Sequence, residues 1–246
     1  MAQVALVTGA NRGIGLAIAK ILIDQGIITF VASRKIEAAK NAIEQEFLNN
    51  NLAKPIQLDV TVDEDITKAV EEINNCYGRL DLLVNNSGIT HSTNENTTPR
   101  SNFTEVLDVN VIGAVAMIDA FTLLLGKSQR KKGGLILNVS SIFGSINFCT
   151  NGTAQPSTMI FPYMCSKAAL NMMTAAYSQY LKDKNIRILS VCPGRTASSD
   201  FNKKKGARSC EESATILLGL LDEDKDYPTG TFWGTPSDQG LIPYEW

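Results

Sequence analysis

The chain has 246 residues, of which 44% are apolar and 20% are charged, so it has the composition of a globular protein that buries a large core. Its 23 basic and 25 acidic side chains nearly cancel, which leaves no basic surface for a nucleic acid, and we expect no nucleic-acid partner. The five cysteines form no C-x-x-C pair and are odd in number, which favours reduced thiols in a cytoplasmic protein over a disulfide framework or a metal site.

Short β-rich runs alternate with longer runs of helical period along the whole chain, as in parallel strands joined by crossover helices. Strands are predicted, in chain order, at Val4–Val7, Ile28–Ala32, Ile56–Leu58, Leu80–Val84, Gly134–Val139, Ile186–Val191 and, at the edge, Thr231–Trp233. Helices are predicted from Gly13 to Gly26, from Lys35 to about Asn49, from a capping box of Thr61 and Glu64 to Gly78, and at about Asn102–Leu125, Phe161–Lys182 and Glu211–Leu221. The prediction is a single α/β domain over residues 1–246, a doubly wound sheet of about seven parallel strands in the order 3-2-1-4-5-6-7 with helices on both faces.

The longest mostly apolar run, Val111–Leu125, is interrupted by Asp119 and is short for a bilayer crossing, so it is interpreted as a core helix. The N-terminal strand reaches Thr8 and Gly9 too early for a secretory signal peptide. We therefore expect no membrane partner and a cytoplasmic location.

The first predicted strand runs into a glycine-rich turn and then into a helix. Glycines let the chain turn tightly and let backbone N–H groups approach a pyrophosphate, which the positive end of the helix also attracts. The position between a clear strand and a clear helix favours a dinucleotide site over a plain strand-to-helix turn. The candidate cofactor-binding residues of this turn are Gly9, Asn11, Arg12, Gly13, Ile14 and Gly15.

The end of the second strand indicates which dinucleotide is bound. An acidic residue there usually takes the ribose hydroxyls and repels a 2′-phosphate, whereas this strand ends in Ser33 and Arg34. A guanidinium grips a phosphate through two charge-assisted hydrogen bonds, and Arg12 approaches the same group from the glycine turn. NADP(H) is therefore predicted over NAD(H), and a solvated surface charge is the alternative for either arginine.

Tyr163 and Lys167 stand four residues apart and share one face of the helix predicted after strand five. A second pair with this spacing, Tyr180 and Lys184, lies roughly 25 Å further along that helix and is interpreted as surface. The ammonium, with the positive nicotinamide ring in the oxidised complex, is expected to lower the pKa of the Tyr163 phenol and so to tune it as an acid and base for a carbonyl or alcohol oxygen. Ser141, at the end of strand five, is placed to hold the same oxygen, unless it is a strand-end hydroxyl without a role.

With these motifs in this order, the chain resembles the classical short-chain dehydrogenase/reductase family over essentially its whole length. The matching pieces are Thr8-Gly9-x-x-x-Gly13-Ile14-Gly15, Asp59-Val60, Asn85-Asn86-Ser87-Gly88, Asn110, Asn138-Val139-Ser140-Ser141, Tyr163-x-x-x-Lys167 and Pro193-Gly194. The NADPH-dependent carbonyl-reductase branch is indicated by Arg12, Ser33-Arg34, the ending Pro228-Thr229-Gly230-Thr231-Phe232 and the final Trp246. The resemblance implies a Rossmann-type fold with NADP(H) as the cofactor.

The resemblance also implies a role for each motif. The catalytic set would be Asn110, Ser141, Tyr163 and Lys167, in which Asn110 anchors a water that relays protons to Lys167. The other cofactor contacts would be Asp59 and Val60 at the adenine, Asn86, Ser87 and Gly88 along the crevice, Lys167 at the nicotinamide ribose, and Pro193, Gly194, Thr196 and Ser198 at the carboxamide. Tyr163 would also contact the cofactor. The residues themselves leave open that Asp59 caps a turn and that Asn110 is a surface amide.

Three features depart from the family pattern. Ser87 stands where the family usually has alanine, and Ser198 is the positional equivalent of a usual threonine. Ser141 and Tyr163 are 22 residues apart, which is longer than usual and points to an insertion at about Gly144–Phe161. The apolar side chains of this region either wall a substrate cleft or form a surface cluster; they are Ile142, Phe143, Phe148 and Phe161. The run Lys203–Lys205 is interpreted as a solvated loop, and His91 is given no role.

The sequence thus predicts an NADPH-dependent reductase of ketones, aldehydes or quinones, which also runs in reverse as an alcohol dehydrogenase. A non-catalytic NADP(H) sensor with the same fold is the alternative from another class, and the intact Ser, Tyr, Lys and Asn set argues against it. The expected partner is a small carbonyl or alcohol substrate, and the protein is expected to be a monomer or a homodimer.

Overall fold

The computed structural model describes residues 2–47, 50–92, 97–151, 158–197, 206–235 and 240–246. Within these ranges one sheet contains the strands β1 (Val4–Val7), β2 (Ile28–Ser33), β3 (Ala53–Gln57), β4 (Leu82–Asn85), β5 (Gly134–Val139), β6 (Ile186–Cys192), β7 (Phe232–Gly234) and β8 (Ile242–Pro243). Their order is β3-β2-β1-β4-β5-β6-β7-β8. The strands β1 to β7 pair in parallel in the predicted order, so the doubly wound α/β fold is confirmed.

Helices cover both faces of the sheet. The helices in the described ranges are α1 (Gly13–Asp24), α2 (Ile36–Phe47), α3 (Asp63–Tyr77), α4 (Pro99–Leu107), α5 (Gly113–Leu125), α6 (Ile146–Thr150), α7 (Phe161–Tyr180) and α8 (Cys210–Leu218). Successive strand residues point to opposite faces, and almost all of those in β1, β2, β4, β5 and β6 are buried, as expected for a parallel sheet covered on both sides. One core layer joins the sheet to α1, α2 and α8, and the other joins it to α3, α5 and α7.

The winding of the sheet reverses at β1. Val7 at the end of this strand pairs with Val31 of β2 on one side and with Val84 of β4 on the other. In an open α/β sheet such a reversal leaves a crevice beyond the carboxyl ends of the strands, because the crossover helices leave in opposite directions. The fold therefore places the candidate site above β1 and β4.

Three local predictions were wrong. β3 begins three residues earlier than expected and contains Pro55, which an edge strand tolerates because its missing N–H need not serve the ladder. The Thr61–Glu64 capping box is absent, since the Thr61 hydroxyl donates to Asp59 at 2.8 Å and α3 begins after Val62. β7 is not the edge of the sheet, because β8 pairs with it in antiparallel orientation.

The helical run Pro99–Leu125 is long and apolar enough to cross a membrane by length and composition. Within the fold it packs against the sheet, where Met117, Ile118, Phe121 and Leu125 are fully buried, as predicted for a core helix. The run is interrupted by a π-helical turn at Asp108–Ile112, between α4 and α5.

Candidate active site

A cleft of about 1990 Å³ lies over the carboxyl ends of the parallel strands. Typical small-molecule pockets hold about 300–1,000 Å³, so this cleft has room for a dinucleotide and a second small molecule. The predicted site residues on its wall are Gly9, Asn11, Arg12, Gly13, Ile14, Ser33, Arg34, Asp59, Val60, Asn86, Ser87, Gly88, Ser141, Tyr163, Lys167, Pro193, Gly194 and Thr196.

Two predicted residues, Gly15 and Asn110, have other positions. Gly15 lies behind the turn, where a Cβ would come within 2.6 Å of the Gly9 carbonyl oxygen, so its role is close packing of the turn. Asn110 lies behind Gly88, with its Oδ1 3.2 Å from where a Cβ of that glycine would be. Ser198 and the Lys203–Lys205 run lie outside the described residues.

The glycine-rich turn is fastened to the loop after β4 by Thr8. The buried Thr8 hydroxyl accepts hydrogen bonds from the backbone N–H groups of Asn86 and Ser87, each at 2.9 Å. In return the Asn86 side chain donates to the Thr8 carbonyl at 2.9 Å and to the Gly9 carbonyl at 3.2 Å. Thr8 was quoted in the motif but not predicted as a site residue, and it is the residue that holds the two loops of the crevice together.

The turn presents the start of α1 to the cleft. Gly9 and Gly13 have φ angles of 61° and 60°, a left-handed conformation that a side chain would strain. The first turn of α1 contains no acidic residue, and Arg12 makes no cap hydrogen bond through its side chain. The positive end of the helix dipole therefore meets the cleft without a competing carboxylate, which suits an anionic ligand.

The far end of the cleft is basic. Arg12 and Arg34 are exposed on its wall, and Lys35, which was not predicted, lies beside them. Ser33 is buried, and its hydroxyl accepts a hydrogen bond from the Lys35 backbone N–H at 3.5 Å. Asp59 lines the same end and also stabilises a turn, because it accepts hydrogen bonds from Thr61. Asp59 therefore caps a turn, as the alternative interpretation predicted, and it also lies on the cleft wall.

The other end of the cleft carries Ser141 and Tyr163. Ser141 lies two residues after the end of the strand β5, and Tyr163 lies in the first turn of α7, whose second residue is Pro162, at a position where proline is well tolerated. The two side chains are hydrogen-bonded to each other. Burial raises the pKa of Tyr163 to about 12, whereas the hydrogen bond with Ser141 acts in the opposite direction. The phenol is therefore protonated at neutral pH.

Lys167 lies one turn further along α7, beneath the phenol. Its Nζ is 5.5 Å from the centre of the Tyr163 ring and donates a hydrogen bond to the Val139 carbonyl at 2.8 Å. Burial lowers the pKa of Lys167 to about 8. The pKa of the Tyr163 phenol without the nicotinamide ring is raised and not lowered, because desolvation of the phenol dominates and the lysine is itself buried. The expected lowering in the oxidised complex stays a prediction.

Asn110 is a buried residue of the π-helical turn and not a surface amide. Its side chain donates to the Ile89 carbonyl and to the Ser166 hydroxyl, both at 2.9 Å, and accepts from the Ile89 N–H at 2.8 Å. These contacts join the loop after β4 to α7, one residue before Lys167. π-helical turns are frequent at functional sites because they change how a helix presents its backbone.

A row of buried polar side chains crosses the sheet below the site. Asn85 at the end of β4 donates to Asn138 of β5 at 2.9 Å, and Asn138 donates to Thr174 of α7 at 2.8 Å. The Thr174 hydroxyl is 2.9 Å from that of Ser190 in β6. This polar row joins three strands to the helix that carries Tyr163 and Lys167.

Cys192 and Tyr244 are among the cleft residues that were not predicted. Cys192, at the end of β6, is buried between the loops, and its sulfur accepts hydrogen bonds from the Ile142 N–H at 3.1 Å and from the Gly194 N–H at 3.4 Å. Tyr244, which follows β8, also lies on the wall. The position of Cys192 next to the Pro193-Gly194 motif was a signal that could have found it, whereas the sequence contains no comparable signal for Tyr244.

The remaining candidates are divided between cleft and surface. Ile142 and Phe143 line the cleft, whereas Phe148 packs its ring against Phe143 at 6.0 Å, and Phe161 is 42% exposed. The second Tyr–Lys pair is surface as predicted, since Tyr180 is 61% exposed. Among the residues that the structure describes, no group of three or more His, Cys, Asp or Glu side chains is arranged to hold a metal ion.

The fold and this site define a doubly wound α/β protein of the nucleotide-binding type, with Ser, Tyr and Lys side chains at the crevice. The family model described as short chain dehydrogenase matches residues 3–209. The chain belongs to this family of oxidoreductases.

Relatives and solved structures agree with this assignment. The chain is 33% identical to a short-chain dehydrogenase, anuI, of Penicillium roqueforti over 98% of its own length and 96% of that protein. It is 32% identical to the L-fucose dehydrogenase of Rattus norvegicus, over 97% of the chain and 80% of that enzyme. Its structure is similar to an NADPH-bound carbonyl reductase from chicken fatty liver, with a TM-score of 0.83, 26% identity, and coverage of 100% of this chain and 99% of that one.

Proposed function

We propose that this protein is an NADP(H)-dependent carbonyl reductase, which reduces a ketone, aldehyde or quinone and also runs in the direction of alcohol oxidation. The observation that carries the proposal is the grouping of Ser141, Tyr163 and Lys167 at one end of a cleft whose other end is basic. The similarity to an NADPH-bound carbonyl reductase supports it. As a working unit we propose one domain over residues 1–246, a monomer or homodimer in the cytoplasm.

The residues around the crevice fit a 2′-phosphorylated dinucleotide. The uncapped start of α1 and the left-handed Gly9 and Gly13 leave space and positive potential for a pyrophosphate. Arg12 and Arg34 would hold a 2′-phosphate, since Ser33 introduces no negative charge at the end of β2. Lys167 would hold the nicotinamide ribose, and the Pro193-Gly194 loop would brace the carboxamide.

When bound, the reduced nicotinamide supplies the hydride. The protein supplies the proton: Tyr163 is neutral below its pKa of about 12 and is therefore in the form that donates to a carbonyl oxygen. Ser141, which is hydrogen-bonded to this phenol, would stabilise the negative charge that develops on the same oxygen.

Lys167 would restore the proton that Tyr163 gives up. Its pKa of about 8 lies close to neutral pH, so both of its protonation states are accessible during turnover. Asn110 would act as a positioning residue for this relay, because it fixes the loop after β4 and Ser166 beside Lys167. A water held at the π-helical turn would complete the path to solvent.

The test compares wild type with Tyr163→Phe, which keeps the ring and removes only the hydroxyl. NADPH binding is measured by fluorescence titration, and turnover by loss of NADPH absorbance on a panel of ketones, aldehydes and quinones. We expect the variant to bind NADPH and to lose at least about 100-fold in kcat. Turnover at the wild-type rate by Tyr163→Phe would refute the mechanism, and tight NADPH binding without turnover of any compound by wild type would favour a sensor.

A further inference from the structure

Tyr244 is held over the end of β7 by several contacts. Its backbone N–H donates to the Phe232 carbonyl at 2.7 Å, and β8 just before it pairs with Trp233 and Gly234. Its ring lies directly on Gly234, where a Cβ would collide with the ring atoms. The ring also makes an edge contact with Phe232, with 5.3 Å between centroids. The position of the ring is therefore determined by the sheet and not by a loop.

This position brings Tyr244 to the catalytic end of the cleft. Gly234, under its ring, is the strand partner of Cys192 in β6, and both Cys192 and Tyr244 line the cleft. On the opposite side of β6, Val139 of β5 pairs with Val191, which brings Ser141 and Tyr163 to the other flank of Cys192. A negative charge on the Cys192 sulfur would raise the pKa of both phenols, Tyr163 and Tyr244, so the sulfur lies near each of them. Tyr163 and Tyr244 thus lie on either side of Cys192 in the cleft.

The Tyr244 hydroxyl is available as a hydrogen-bond donor. It has no hydrogen-bond partner among the residues that the structure describes, although the residue is half-buried on the cleft wall. Burial raises the pKa of Tyr244 to about 12, so the hydroxyl keeps its proton throughout the range in which the enzyme would work. A half-buried donor with no partner among the described residues gains a hydrogen bond from an acceptor on a ligand.

We propose that Tyr244 is a specificity-determining residue that donates a hydrogen bond to a second oxygen of the substrate, on the side of the reacting carbonyl away from Tyr163. The substrate class is a carbonyl compound with a second oxygen function on the neighbouring carbon, such as a 1,2-diketone or an α-hydroxy ketone. This inference rests on the proposed function, since it assumes that the reacting carbonyl lies at Ser141 and Tyr163.

The kinetic test uses a matched pair of substrates, 1-phenylpropane-1,2-dione and 1-phenylpropan-1-one, which differ only in the second oxygen. The full-length wild type is compared with Tyr244→Phe, which keeps the ring on Gly234, and with Tyr180→Phe as a control on an exposed tyrosine of α7. We expect Tyr244→Phe to lower the ratio of kcat/KM for the dione to kcat/KM for the monoketone by about fivefold to tenfold, mainly through KM. The control should leave the ratio as in wild type.

A binding test separates this inference from the proposed function. Binding of the two ketones to NADPH-loaded Tyr163→Phe and to NADPH-loaded Tyr163→Phe/Tyr244→Phe is measured by calorimetry. A preference for the dione that the double variant loses supports the role of Tyr244, even if wild type turns over neither ketone and the proposed function fails. If wild type reduces the ketones but its preference is unchanged in Tyr244→Phe, or if the loaded protein binds no dione, the role of Tyr244 is refuted.

Discussion

The ammonium of Lys167 donates a hydrogen bond to the backbone carbonyl of Val139 at 2.8 Å. The lysine is thus tied to the end of β5, the strand that also leads to Ser141. Burial desolvates this ammonium more than the Val139 carbonyl compensates for the lost water, which explains why the pKa of Lys167 falls to about 8. The same hydrogen bond places the charge below the ring of Tyr163 instead of at its hydroxyl.

This pKa predicts a pH-dependent stability of the site. An unfolded lysine has a pKa of about 10.5, so between pH 8 and that value the unfolded chain binds more protons at this position than the folded chain does. The contribution of Lys167 to the free energy of unfolding therefore rises with pH in this window. We expect the stability advantage of Lys167→Met over wild type to shrink as the pH is raised from about 8 to about 10, measured by urea unfolding.

Lys184→Met is the matched control, because Lys184 is exposed and has the same spacing from a tyrosine. A difference between Lys167→Met and wild type that stays constant across this pH range would contradict the assignment of a lowered pKa to Lys167.

Ser33→Asp should change the preference for the dinucleotide. A carboxylate at the end of β2 would repel a 2′-phosphate and accept hydrogen bonds from ribose hydroxyls instead. We expect the ratio of the NADPH to NADH dissociation constants to rise at least about tenfold, measured by fluorescence titration with each cofactor. Ser33→Asn is the control, because asparagine has nearly the same size as aspartate without the charge. An equal change in the ratio of dissociation constants in Ser33→Asn would show that charge is not the cause.

Ser141→Ala should slow turnover without removing the proton donor. The hydroxyl lies beside Tyr163, and the loss of one donor to a developing oxyanion typically lowers kcat by about 100-fold to 1,000-fold. Steady-state kinetics on a ketone that wild type reduces would measure this effect, with Ser101→Ala of the exposed first turn of α4 as the control. A Ser141→Ala enzyme with wild-type kcat would place the carbonyl oxygen elsewhere.

Asp81→Ala should destabilise the fold far from the cleft. The buried Asp81 carboxylate accepts hydrogen bonds from the N–H groups of Val4 and Gln129 and from the Ser128 hydroxyl, each at 2.8 Å, and pairs with Arg79 at 3.3 Å. Its removal leaves these donors buried without an acceptor, so we expect the free energy of unfolding to fall by about 3 kcal/mol. Urea unfolding measures the loss.

Asp24→Ala serves as the control for this variant, because Asp24 is exposed at the end of α1 and should change stability by less than about 0.5 kcal/mol. Equal stability of the two variants would mean that Asp81 contributes no more than a surface carboxylate.

The features predicted correctly from the sequence are those with a local pattern. Gly9 and Gly13 stand between a strand and a helix, so a tight turn was predicted there, and the structure gives both glycines a left-handed conformation. Tyr163 and Lys167 share a helix face by spacing alone, and their cleft position follows from the order of the strands. The exposed second pair at Tyr180 was separated from them by its distance along α7.

The features that were missed depend on contacts between distant segments. β8 has two residues, one of them proline, and it exists only because β7 offers a free edge, so Tyr244 could not be placed in the cleft. The upward shift of the Tyr163 pKa without a cofactor was not foreseen, because spacing shows the neighbouring charge but not the depth of burial. The fastening role of Thr8 likewise depends on the loop after β4, far away in the chain.

The polar row from Asn85 through Asn138 to Thr174 also favours the correct pairing register of β4 and β5 over shifted ones. If β5 slipped by one residue, an apolar side chain would face Asn85, and each amide or hydroxyl left alone in the interior would cost about 1–3 kcal/mol. Leucine and valine fill most neighbouring strand positions and would accept either alignment almost equally. A few buried amides thus destabilise misaligned pairings of β4 and β5 that the apolar core alone would tolerate. They thereby fix the position of Ser141 relative to the neighbouring strands.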